Sequence, residues 1–246
     1  MTNSVALSIP IYSMSSFSIP NNVCNRIDAL TRRFWWNPNK REGGFLAWKD
    51  WDSLCCPRSE GGLGFKKSKT MNSALLEKLA WMIATKRDSL CIRILRAKYR
   101  VKDEWLRSEA ARHASPVWKA IEKAREVVWK GACFIVGDGE SVDVWLDPWV
   151  PWIKGFIPTP KDGSIVQSKM KVSQLIDLEH QTWRTSLVRN IFNPISAQAI
   201  LSIRIPSTPC PDKLMWILDS KGLFSVKSAY KEMLPNTPSQ TSSTVD

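Results

Sequence analysis

The sequence predicts a mainly α fold with small β-hairpins, an α+β arrangement, and two patterns support it. Apolar residues recur at helical spacing in several segments, which turn and capping residues separate. Two shorter stretches alternate apolar and polar residues beside glycine-containing turns, as hairpins do. We expect a helical N-terminal half and a smaller C-terminal half of helices and one hairpin.

The sequence divides into five expected parts. Residues 1–20 form an extended segment, and residues 21–155 form a helical region with a tryptophan-rich stretch and a hairpin. Residues 156–172 lie in a stretch with prolines, glycines and few periodic apolar residues, which is typical of a linker. Residues 173–234 carry further helices and a hairpin. Residues 235–246 are almost wholly polar or proline, so we expect them to be disordered.

The first helix is expected from residue 21 to about Trp36. Its apolar stripe follows helical spacing and consists of Val23, Ile27, Leu30 and Phe34. Arg32 and Arg33 lie among its other positions. The pattern indicates an amphipathic helix.

The stretch from Arg32 to Phe65 holds four of the thirteen tryptophans, between two glycine-bearing turns. Indole rings bury large areas and need a partner for the N–H, so such a cluster indicates compact structure. A small aromatic core closed by tight turns is the favoured interpretation. An aromatic binding surface is the alternative.

Three further helices follow. The second is marked by Met71, Leu75, Leu79 and Met82. The third is expected to begin after Asp88 as N-cap and to end near Tyr99. The fourth has Ser115 as N-cap, Pro116 at its first position and Gly131 just beyond its end.

Four basic residues are expected on one side of the third helix, and we name them the basic stripe: Lys86, Arg93, Arg96 and Arg100. Cys91, Ile94 and Leu95 lie across from them. From Lys86 to Lys102 the chain has seven basic residues and one acid. The stripe fits contact with a phosphate backbone, and an ordinary solvated face is the other interpretation.

Two hairpins are expected nearer the C-terminus. Residues 133–136 and 141–146 flank an Asp-Gly turn, and residues 213–218 and 223–226 flank a second turn. Short helices are expected near residues 183–192, 195–203 and 227–234. Three aspartates, Asp138, Asp143 and Asp147, allow a metal cluster or turn and capping roles, and the second is favoured.

Composition limits the function classes. The chain has 35 Lys and Arg against 23 Asp and Glu, a net charge of +12, which fits either a polyanionic partner or simply a basic surface. No run of eighteen apolar residues and no signal peptide is evident, so we expect an intracellular protein without membrane contact. The six scattered cysteines indicate reduced thiols. No metal, cofactor or small-molecule ligand is expected.

Several short motifs occur in a fixed order along the chain. They are PIYSMS at residues 10–15, FWW at 34–36, CCPRSEGGLGF at 55–65, VGDG at 136–139, VWLDPW at 144–149 and FSVKSAY at 224–230. In type and order they resemble plant LINE-type (non-LTR) retrotransposon reverse transcriptase polyproteins. The resemblance covers roughly residues 5–234 and corresponds to the region between the palm and the zinc-binding and ribonuclease H segments.

This resemblance implies a thumb-like N-terminal region and a connection-like C-terminal region of a truncated polyprotein. Residues 1–20 would be the end of the palm. The parent family is an RNA-directed DNA polymerase with ribonuclease H, but this chain has no Asp-Asp pair of the kind that holds the catalytic metals. We therefore expect no enzyme activity, and no catalytic residue is assigned.

The leading hypothesis is nonspecific binding to RNA or DNA backbone, with Lys86, Arg93, Arg96, Arg100, Arg32 and Arg33 as the candidate residues. A palm-containing reverse transcriptase chain is a second expected partner, and the family implies the nucleus as a location. The alternative is a protein-interaction or structural module, or a relic without selected function, whose aromatic surface once packed on the palm.

Overall fold

The computed structural model describes residues 10–38, 44–110, 114–163, 169–177 and 179–234. Within these residues the fold is mainly α, with two small two-stranded antiparallel sheets. The predicted fold class is thus confirmed. The tail from residue 235 onward, for which the sequence predicts disorder, lies outside the described residues.

The chain forms two compact units that alternate along the sequence. Unit 1 comprises residues 1–102, 109–126 and 225–246, and unit 2 comprises residues 103–108 and 127–224. Residues 156–172, for which the sequence predicts a linker, belong to unit 2.

The regular elements match most of the predicted helices. The helices are α1 (Asn21–Trp36), α2 (Trp51–Cys55), α3 (Ser68–Ala84), α4 (Leu90–Lys98), α5 (Pro116–Lys130), α6 (Thr185–Ile191), α7 (Pro194–Leu201) and α8 (Val226–Glu232). The strands are β1 (Ala132–Ile135), β2 (Ile176–Asp177), β3 (Thr182–Trp183) and β4 (Lys213–Trp216). The N-cap of α4 is Ser89 and not Asp88, because the Ser89 hydroxyl accepts the Ile92 N–H at 3.3 Å.

Helix α3 is central to unit 1, since α1, α4 and α8 all pack against it. The first backbone N–H groups of a helix lack partners within the helix and need them from elsewhere. Here the Tyr230 hydroxyl on α8 accepts the Lys67 N–H at 3.0 Å. On α1, the Asp28 carboxylate accepts the Ser68 N–H at 3.1 Å and the Ser68 hydroxyl at 2.6 Å.

One turn further along α3, Asn72 attaches the N-terminal segment to the helix. Its side chain is buried and donates to the carbonyls of Met14 and Phe17, each at 2.7 Å. Its Oδ1 accepts the Ile19 N–H at 2.8 Å. Residues 10–14 are helical, where the sequence predicts an extended segment.

The apolar stripe of α1 does not face the core of unit 1. Leu30 is 60% exposed and Phe34 53% exposed, whereas Cys24 and Thr31 are buried. The orientation follows from Asp28, which must reach Ser68 and lies on the same side as Cys24 and Thr31. Each residue of an α-helix adds a rotation of about 100°, so that side lies about 100° around the helix from the apolar stripe.

In unit 2, β1 does not form a hairpin with residues 141–146, so this prediction is wrong. It pairs antiparallel with β4, with Ala132 opposite Trp216 and Ile135 opposite Lys213. The prediction of a second hairpin is also wrong, because residues 223–226 form no strand. The Trp216 N–H nevertheless donates to the Gly222 carbonyl at 3.0 Å. The main core of this unit combines residues from 136–150, 170–176 and 183–200.

Replacement of Asn72 tests the attachment of the N-terminal segment. Asn72→Ala removes one buried and two partly buried hydrogen bonds and leaves two carbonyls and one N–H without their partner. We expect the free energy of unfolding to fall by about 3 kcal/mol in urea denaturation. The Ile19 amide should also lose hydrogen-exchange protection.

Asn22→Ala is the matched control, because Asn22 is exposed and its side chain accepts only the N–H of Val23 next to it. Equal losses of stability in the two variants would show that Asn72 does not hold the segment.

Candidate nucleic-acid interface

The VGDG motif forms a loop around one carboxylate. Asp212 Oδ1 accepts the N–H groups of Gly137 at 2.8 Å and Gly139 at 2.9 Å, and its Oδ2 accepts the Ser141 N–H at 2.9 Å. A Cβ at Gly137 would collide with the carbonyl oxygen of Cys210. The glycines thus serve the fold, and the backbone N–H groups that could hold an anion are already occupied by Asp212.

The acids of the VWLDPW motif are also used inside the fold. Asp143 Oδ1 accepts the N–H groups of Trp145 and Leu146, which confirms a turn role. Asp147 is buried, accepts the Asp143 N–H at 2.7 Å and forms an ion pair with Arg107. Asp138 accepts the Glu140 N–H at 3.1 Å, again within a turn. In the described part of the chain no group of three or more His, Cys, Asp or Glu could hold a metal ion.

The tryptophan-rich stretch forms a small aromatic core, as the favoured interpretation predicts. Phe65 is buried, and its ring lies 5.3 Å from that of Trp35 and 5.4 Å from that of Trp51. Trp36 packs against the same cluster. Trp48 differs, since it is 80% exposed and outside this core.

The structure separates the members of the basic stripe. Arg93 lies on the exposed side of α4. Lys86 and Arg100 are exposed just before and just after the helix, each with a left-handed backbone, at φ 51° and φ 49°. Because Lys86 and Arg100 lie outside the helix, helical spacing does not align them with Arg93.

Arg96 points to a different environment. It is half-buried, and its guanidinium donates to the carbonyls of Ile83 at 2.9 Å and Val101 at 3.3 Å. It therefore joins the end of α3 to the segment that follows α4. Ile92, one turn earlier, is buried, whereas Ile94, expected across from the stripe, is 55% exposed. Arg32 and Arg33 lie on α1 and are both half-buried.

The positive charge of the chain is unevenly divided between the two units. Unit 1 carries 24 Lys and Arg against 12 Asp and Glu, a net charge of +12, whereas unit 2 carries 11 of each and is neutral. The whole excess of the chain thus belongs to unit 1, which also carries all six candidate residues. Such an excess attracts polyanions at long range.

Glu77 is a buried acid that the sequence analysis did not single out. It lies on α3 in a run whose only other charged residue is Lys78, and this is the signal that could have revealed it. Its Oε2 has no hydrogen-bond partner among the described residues, and burial raises the pKa of the carboxyl from 4.5 to about 7. Among the described residues it belongs to no group of three or more His, Cys, Asp or Glu that could hold a metal ion.

The cysteines are thiols without disulfides in the structure, as expected. Burial raises the pKa of Cys55 and of Cys133 to about 12. These two thiols are therefore protonated at neutral pH and are poor nucleophiles.

The features above define a class: a basic, mainly α protein whose motifs build its fold and whose charge excess lies in one unit. No family model matches the chain, and no solved structure matches it significantly. No helix in the described part of the chain is long and apolar enough to cross a membrane.

Two Arabidopsis thaliana proteins are similar in sequence. The "Putative ribonuclease H protein At1g65750" is 31% identical over 246 residues, which cover 95% of this chain but only 38% of that protein. The "Uncharacterized mitochondrial protein AtMg00310" is 31% identical over 147 residues, which cover 58% of this chain and 94% of that protein. The chain belongs to the family of AtMg00310, because it covers nearly all of that relative at this identity.

Glu77→Gln tests the buried carboxyl. Because the pKa is raised in the folded state, the stability linked to the proton is fully present below about pH 4.5 and is lost as the pH rises through about 7. The free energy of unfolding of the wild type should fall over this range by up to roughly 3 kcal/mol relative to the variant. Urea denaturation at pH 4.5 and at pH 8 measures the difference.

Glu126→Gln on α5 is the exposed control. A pH-dependent difference of the same size in the control variant would contradict the assignment to Glu77.

Proposed function

We propose that this chain is a non-catalytic part of a retrotransposon-derived reverse transcriptase polyprotein. It corresponds to the thumb and connection region, and its unit 1 binds RNA or DNA backbone without sequence preference. The motifs of the LINE-type family and the similarity to a relative named for ribonuclease H support the first statement. Because the match covers 38% of that relative, polymerase and nuclease chemistry would belong to other parts of such a polyprotein.

The observation that carries the binding proposal is the charge of +12 confined to unit 1. Arg93 and Arg100 present two exposed guanidinium groups on this unit. Arginine binds phosphate oxygens by charge-assisted hydrogen bonds, which read no base sequence. Arg96 contributes through the fold, since its guanidinium is engaged by two backbone carbonyls.

The salt dependence of binding tests this proposal. Each phosphate contact contributes roughly 0.9 to the slope of log affinity against log salt on duplex DNA. Arg93→Gln combined with Arg100→Gln should therefore reduce the slope by roughly 2 and weaken binding equally for unrelated sequences. Fluorescence anisotropy with a duplex and with an RNA–DNA hybrid, at several salt concentrations, measures the slope.

Lys154→Gln combined with Lys169→Gln is the matched control, because both lysines are exposed and belong to the neutral unit 2. The control variant loses two positive charges, as the arginine variant does. A slope unchanged in the arginine variant, or reduced equally in the control, would reject backbone binding through α4.

A second candidate function is a protein-interaction module, and the exposed stripe of α1 favours it. Val23, Leu30 and Phe34 are 42 to 60% exposed and lie along one side of the helix. An apolar helix side of this length is typical of a surface that packs on another chain or domain. A palm-containing reverse transcriptase chain is the partner that the family resemblance implies.

The proposed lack of catalysis is tested directly. Purified protein should give no primer extension on an RNA template with either magnesium or manganese, since the chain has no Asp-Asp pair to hold two metals. It should also give no cleavage of RNA in a hybrid, since among the described residues no group of three or more His, Cys, Asp or Glu could hold a metal ion. Extension or cleavage above that of a buffer control would overturn the proposal. Addition of a palm-containing chain tests whether this protein complements polymerase activity.

A further inference from the structure

Three lysines of unit 1 converge around one buried tyrosine. Tyr230 on α8 is 2% exposed, and its hydroxyl is fixed by the Lys67 N–H. The Lys66 Nζ lies 4.6 Å from the centre of the Tyr230 ring. Lys227 and Lys231 are exposed on α8, three residues before and one residue after Tyr230, and they lie one helical turn apart on the same side of the helix.

The three ammonium groups are close enough to act on one another. Burial lowers the pKa of Lys66, and the positive charges of Lys227 and Lys231 lower it further, while the Cys55 thiol acts in the opposite direction. The neighbouring Lys67 has an acidic partner, since its Nζ lies 2.9 Å from Asp52 Oδ1. Among the described residues Lys66, Lys227 and Lys231 have no such partner.

A bound anion would stabilise this arrangement. Like charges one turn apart on a helix repel each other, and a half-buried ammonium loses hydration. The position of Lys66 is nevertheless set by its contact with the Tyr230 ring, and that of Tyr230 by its bond to the start of α3. The fold thus keeps three ammonium groups near one another. Lysine is a common ligand of phosphate.

We propose that Lys66, Lys227 and Lys231 form a binding site for a phosphate group. The phosphate belongs either to a nucleic-acid backbone or to free inorganic phosphate. In its nucleic-acid form the inference rests on the proposed function and adds a second contact region to unit 1, distinct from Arg93 and Arg100.

The test uses the full chain and the variant Lys227→Gln combined with Lys231→Gln. Both positions are exposed, so the fold should be retained. In lysine-labelled protein, NMR follows the Lys66 side chain during pH titration in inorganic phosphate and in chloride of equal ionic strength. Phosphate should raise the pKa of Lys66 in the wild type and leave it unchanged in the variant. With duplex DNA, the salt slope of the variant should fall by roughly 2.

Lys78→Gln combined with Lys119→Gln is the matched control, because both are exposed lysines of unit 1. This control should keep the phosphate effect on Lys66. If the wild type binds duplex while the lysine pair changes neither the slope nor the Lys66 titration, the site is rejected and the proposed function stands.

If phosphate raises the pKa of Lys66 but no duplex binds, the site stands as one for free phosphate and backbone binding fails. If neither probe has an effect, both proposals fail.

Discussion

The N-terminal end of α3 is the point on which unit 1 depends. Its backbone N–H groups find partners in Tyr230 and Asp28, which come from opposite ends of the chain. Asn72 adds the N-terminal segment one turn later. Because a helix end buried without partners is costly, these polar bonds fix where the other helices lie. The apolar contacts then fill the space that this arrangement leaves, so the polar bonds select among packings that burial alone would permit.

Local signals in the sequence were sufficient for most helices. Ser115, Pro116 and Gly131 mark the limits of α5 without reference to the rest of the chain, and apolar spacing finds α1 and α3. The side of a helix that becomes buried was harder to predict. On α1 the periodic residues are exposed because Asp28 bonds to Ser68, a partner forty positions away that periodicity does not reveal. The prediction of strand pairing failed for the same reason, since β1 pairs with β4, which lies far along the sequence.

The basic stripe was predicted only in part, because charge spacing does not show which side chains the backbone will engage. The sequence pattern does not distinguish Arg93 from Arg96. In the structure, however, the Arg96 guanidinium donates to two backbone carbonyls outside α4. The lysine cluster around Tyr230 was missed because Lys66 is distant in sequence from Lys227 and Lys231. The motif residues themselves serve the fold: Gly137 makes room for Cys210, and Asp212 occupies the N–H groups of that loop. The motifs that carry the family resemblance thus mark residues that build the fold, and residues that could bind a partner lie at other positions.

The buried carboxyl of Glu77 adds to the charge contrast between the two units near neutral pH. In unit 1, Asp52 pairs with Lys67, Asp28 is bound to Ser68, and Glu77 is buried with a pKa near neutrality. Most of the basic side chains that the structure describes in unit 1 are exposed, so their charges contribute to the field around this unit. Salt screens such a field within about 10 Å at 0.1 M, so ionic strength is the variable that separates a polyanion-binding surface from a merely soluble one.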